Sequence, residues 1–158
     1  MKKLFATGLI AGLMAISSMT MAATPNEIIN AAKAEVPAAA GMYVYKDDGP
    51  NKLELRFRDT ENFLDYEVKI DKATCAVLEV EITGSNSAKS TTVRKSLQDI
   101  EQIVLAAYPD ASNLVVELDK DGNQYEYEAK FQTAKYRKVE LELNPATGAI
   151  TKHELKLR

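Results

Sequence analysis

The chain states one short plan twice, and nothing else in it constrains the fold as strongly. Asp71-Lys-Ala-Thr-Cys-Ala-Val77 reappears as Asn144-Pro-Ala-Thr-Gly-Ala-Ile150. Setting Pro37 over Pro109 brings Met42-Tyr-Val44 over Leu114-Val-Val116 and Asp47 over Asp119, an offset of 72. After one extra residue in the second copy, an offset of 73 carries Val68-Lys-Ile70 onto Leu141-Glu-Leu143 and Ile82 onto Leu155. Such self-similarity predicts a duplicated small module.

Each copy reads as a helix followed by short strands. Thr24-Pro25-Asn26-Glu27 combines an N-cap, a proline at the first helical position and a glutamate placed for a capping box. Ile28, Ile29, Ala32 and Val36 give the apolar stripe, and Pro37 ends the helix. Strands are predicted at about 42–46, 52–58, 63–70 and 77–83, from period-two patterns such as Leu53, Leu55, Phe57 and Tyr66, Val68, Ile70. In the second copy, Val93 to Tyr108 reads as a helix with Val93, Leu97, Ile100, Val104 and Ala107 on one face. Asp119-Lys-Asp-Gly122 signals a hairpin, and strands follow through Tyr125–Phe131, Val139–Leu143 and Ile150–Leu157. The expected class is α+β: two tandem modules at 24–83 and 93–158, each one helix on an antiparallel sheet of about four strands. Between them, 84–92 is small and polar, a flexible linker or long loop. Modules of this size bury modest cores, so the copies are expected to pack on each other.

The first 22 residues read as an export signal. Lys2 and Lys3 precede an apolar run from Leu4 to Ile16, and Thr20-Met-Ala22 offers a small-x-small cleavage site. A periplasmic or secreted protein is therefore expected, with no membrane span after the signal is removed. Without Lys2 and Lys3 the net charge falls from −3 to −5, which argues against nucleic acid and gives no polybasic patch for lipid. Cys75 is the single cysteine, so no internal disulfide can form. It stands where the second copy has Gly148, in a turn that favours positive φ. It is expected to be exposed, with an intermolecular bond and hence a dimer open to it.

Catalytic chemistry finds no constellation. His153, the single histidine, aligns with Val80, a position that suits a partly buried sheet residue better than a base or ligand. No metal-ligand set and no nucleophile elbow is present, and no cofactor is implied. Asp119-Lys-Asp-Gly122 lacks the remainder of a calcium loop. Glu126, Glu128, Glu140, Glu142 and Glu154 alternate with core positions and interleave with Lys130, Lys138, Lys152 and Lys156. They read as a solvated charged face, with electrostatic docking the alternative. Among the aromatics, Tyr43, Tyr45 and Tyr136 are the candidate partner contacts, being near strand ends or opposite the inward alternation.

The chain resembles the PepSY family and the β-lactamase-inhibitor-like group close to it. The residues that carry this are Ala106-Ala-Tyr-Pro109, Leu118-Asp-Lys-Asp-Gly122, Tyr125-Glu-Tyr-Glu-Ala129 and Leu143-Asn-Pro-Ala-Thr-Gly148-Ala-Ile150. The resemblance covers nearly all of the second copy and more weakly the first. It implies an α+β module of exported or membrane-associated bacterial proteins, protein-binding or inhibitory near peptidases, with no catalytic residues. The expected function is a non-catalytic periplasmic binding module that holds a protein such as a peptidase on an exposed sheet face or in a cleft between copies. The alternative is a sensory or structural accessory that takes a small ligand or peptide in that cleft.

Overall fold

The computed structural model describes residues 23–36, 43–47 and 49–158, with the backbone alone at 43–47. The export signal expected at 1–22 and the stop at Pro37 lie outside the described residues. The elements are α1 (Pro25–Glu35), β1 (Tyr43–Asp47), β2 (Lys52–Asp59), β3 (Leu64–Asp71), β4 (Val77–Gly84), α2 (Leu97–Ala107), β5 (Ser112–Asp121), β6 (Gln124–Gln132), β7 (Tyr136–Leu143) and β8 (Ile150–Leu157).

Both helices start on a closed capping box. Thr24 Oγ1 accepts from the Glu27 amide while the Glu27 carboxylate accepts from the Thr24 amide, and Ser96 and Asp99 repeat the arrangement. The second helix therefore begins four residues later than the apolar pattern predicts. The Arg94 and Lys95 amides both donate to the Pro145 carbonyl, at 2.9 and 3.0 Å, which holds the lead-in against the β7–β8 turn instead of in a helical turn. Val93, Leu97 and Ala107 are exposed, and Ile100 and Val104 alone of the predicted stripe reach the core.

The strands expected as two small sheets form one antiparallel sheet of eight, in the order β1-β2-β3-β4-β8-β7-β6-β5. Two four-stranded meanders meet at β4 and β8, where Glu79 to Thr83 pair with Lys156 to Lys152. Backbone hydrogen bonds therefore join the two meanders, and among the described residues no cleft opens between them. Period-two alternation gives the sheet one apolar side. Leu53, Leu55, Phe57, Tyr66, Val68, Ile70, Val80, Leu155, Val139, Leu141, Leu143, Phe131, Ala129 and Tyr127 form a single buried cluster with Ile28 and Ala32 of α1 and Ile100 and Val104 of α2. Both helices thus cover the same side.

The segment from Ser85 to Lys95 is a long loop tied to the second meander. Ser90 and Tyr125 exchange two backbone hydrogen bonds of 2.9 and 2.8 Å, Lys89 Nζ meets Asp121 at 2.8 Å, and Asn144 Nδ2 donates to the Ser87 carbonyl. Tyr127 adds a buried tether, its hydroxyl donating to the Lys95 carbonyl at 2.8 Å.

The two matching turns share their hydrogen bonds. Asp71 accepts from the amides of Ala73 and Thr74, Asn144 from those of Ala146 and Thr147, and each turn closes with a backbone bond from Cys75 or Gly148. Cys75 at φ 59° and Gly148 at φ 79° both take the left-handed conformation. Cys75 is half-buried, not exposed, because the turn tucks its side chain against the core, and burial pushes the thiol pKa up. A Cβ at Gly148 would come within 2.5 Å of Ile103 Cδ1, so there glycine is required by contact as well as by φ.

Candidate functional site

The side of the sheet away from the helices is charged, and neither described helix covers it. Register aligns one transverse row as Arg56, Glu67, Glu81, Glu154, Glu140 and Lys130, crossing β2, β3, β4, β8, β7 and β6. Four glutamates stand side by side, an arrangement that is unfavourable by itself because like charges directly opposite repel. The rows on either side supply cations. Lys69 and Lys156 hold Glu79 at 2.9 and 3.8 Å, Lys156 also meets Glu154 at 2.7 Å, Lys138 meets Glu140 at 2.8 Å, and Lys152 lies between Glu81 and Glu142 at 3.5 and 3.7 Å.

These partners set the electrostatics of the face. A hydrogen bond from Lys156 holds the Glu154 carboxyl below its ordinary pKa. Burial, followed by the adjacent Glu54 carboxyl, pushes Glu67 up, and burial followed by Glu142 does the same for Glu126. Arg56 bridges Glu54 and Glu67 at 2.8 and 3.0 Å. Those of these pairs that face solvent each contribute about 0–1 kcal/mol to folding. Their arrangement therefore matters more for what approaches the face than for stability. A shallow depression lies in the second half, lined by Glu128, Glu140, Glu142, Lys152 and Glu154 over Leu141.

The tyrosines proposed as contacts do not converge. Tyr43 and Tyr45 pair by backbone with Phe57 and Leu55, and their side chains lie outside the described residues. Tyr136 is half-buried in β7 beside the core, with Lys135 Nζ 5.3 Å from its ring centroid, and four strands separate it from β1. His153 lies on the helix side between Ile82 and Leu141 in register, as expected for a sheet histidine. Its Nδ1 is 2.8 Å from Tyr108 Oη. Burial lowers the His153 pKa and raises that of Tyr108 to about 12. Among the described residues no cluster of histidine, cysteine and carboxylates is placed to hold a metal ion.

Sequence reasoning found the second-half carboxylates and missed their first-half continuation, Arg56, Glu67, Lys69, Glu79 and Glu81. The alternation that places them was legible. The β4–β8 junction that makes the two charged strips one surface was not.

Residues 94–154 match the family model of PepSY, the peptidase propeptide and YPEB domain. Over that stretch the chain is similar to the PepSY family. The PepSY span begins at the lead-in to α2 and ends within β8, so it contains α2, β5, β6 and β7 and the second half of the charged face. No curated protein and no solved structure matches the chain. No helix among the described residues is long and apolar enough to cross a membrane.

Proposed function

We propose that the protein is a non-catalytic, exported binding module built from two copies, residues 24–83 and 93–158 joined by 84–92, and that it holds a peptidase or another envelope enzyme against its charged face. The observation that carries this reading is the charged face running from β2 to β5, with both helices on the opposite side. A flat array of fixed, partly paired charges suits recognition of a protein surface, since complementary charge steers association and rejects wrong partners. The PepSY match supports a peptidase as the class of partner. The matched turn hydrogen bonds at Asp71 and Asn144 support duplication. A small ligand held between the halves loses support, because β4 and β8 are hydrogen-bonded there.

Inhibition is the direct test. Purified protein is added to a periplasmic extract of the source bacterium and casein hydrolysis is followed. Loss of a defined fraction of activity at near-equimolar protein is expected. Unchanged hydrolysis at tenfold excess over the extract's peptidases contradicts inhibition.

A further inference from the structure

We infer that the β5 edge is a second binding surface, which takes an extended basic peptide segment of a partner as a ninth strand. Among the described residues β5 ends the sheet, pairing with β6 alone, and at ten residues it is the longest strand. Natural edges are shortened, blocked by proline, bulged or charged, and β5 uses charge, with Glu117, Asp119, Lys120 and Asp121 in its second half. This one contains no proline, and its register irregularity is confined to its start, between Ser112 and Val115.

Of the exposed large hydrophobics among the described residues, Phe63 lies between β2 and β3, while Val93, Leu97, Leu105, Val115 and Leu118 belong to α2, its lead-in or β5; Val115, opposite Lys130, faces the charged side. Ile103 points to Gly148 and so toward the middle of the sheet, which turns the flank carrying Leu97 and Leu105 toward β5. Those two leucines are eight residues apart, about 12 Å along the helix. Leu118 pairs with Tyr127 and faces the helix side, completing an apolar strip along the edge. On the opposite side of β5, Glu117 and Asp119 are exposed and pair in register with Glu128 and Glu126, which makes that side acidic.

An added strand would therefore meet an apolar strip on one side and carboxylates on the other. A strand whose side chains alternate apolar and basic satisfies both, and its main chain satisfies the open edge. A second copy of this chain fits less well, since an antiparallel β5 pair centred on Asp119 sets Asp119 against itself and Glu117 against Asp121.

The probe is a fluorescein-labelled nine-residue peptide of alternating valine and lysine, titrated by anisotropy, with β5 amide exchange followed in parallel. Binding in the micromolar range with slowed exchange in β5 is expected. Binding should weaken at least tenfold for a peptide of equal composition with its lysines and valines in two blocks, and for Leu97→Lys/Leu118→Lys protein, whose fold is checked by circular dichroism. Equal binding of the block peptide means attraction by charge alone and overturns strand addition. So does absence of binding at 1 mM, or unchanged β5 exchange. Glu81→Lys/Glu154→Lys protein should bind the peptide as the unmodified protein does, which separates this edge from the sheet face.

Discussion

At the scale of single residues, the two positions that most repay substitution are His153 and Gly148. His153 is half-buried and its folded pKa is lowered by that burial, so it contributes stability that is fully present above its ordinary value near 6.5 and is lost as pH falls through the lower folded value. His153→Gln removes that proton uptake. The variant is expected to lose less stability than the unmodified protein between pH 7 and pH 4.5, by urea midpoint. Parallel curves would contradict the role. Tyr108, raised to about 12, acts at the other limb: its contribution is intact below pH 10 and disappears toward pH 12. Gly148→Ala must place a Cβ against Ile103 at positive φ, and is expected to cost about 1–3 kcal/mol at unchanged m-value. Cys75 shows what sequence alone could and could not say here. Its equivalence to Gly148 correctly implied positive φ, while its half-burial depended on how the turn sits against the core.

At the scale of elements, the alternation and capping residues placed nearly every strand and the start of α1, because those signals are local. The apolar character of Val93 suits a helix start, but the Arg94 and Lys95 amides beside it are held by the Pro145 carbonyl, which is distant in sequence, so α2 begins only at Leu97. Ser96→Ala removes the acceptor for the Asp99 amide and should destabilise by about 1 kcal/mol in a denaturant titration. The β4–β8 junction is the element pairing that no periodicity could reveal, since an edge strand and a central strand of this length read alike. Val80 and Leu155 face each other across it, buried to 2 % and 5 % exposure. Leu155→Ala should cost about 2–5 kcal/mol and should lower the stability of both halves together. Separate transitions by amide exchange in β2 and β7 would contradict a shared core.

At the scale of the molecule, joining two meanders edge to edge does two things at once. It merges two small cores into one cluster under both helices, and it turns two charged strips into one face. The second consequence is the basis of the proposed function, and it was only half visible beforehand: the carboxylates of β6, β7 and β8 stood out in the sequence, but their alignment with Glu67 and Glu81 depends on the junction. The most direct test is affinity capture from periplasmic extract with the unmodified protein and with Glu81→Lys/Glu154→Lys, two exposed-face substitutions in the central row. The account predicts a peptidase or other envelope enzyme enriched near stoichiometrically by the unmodified protein, released by added salt, and reduced at least tenfold by the charge reversal. Equal enrichment by both proteins would contradict the claim that the charged face is where the partner docks.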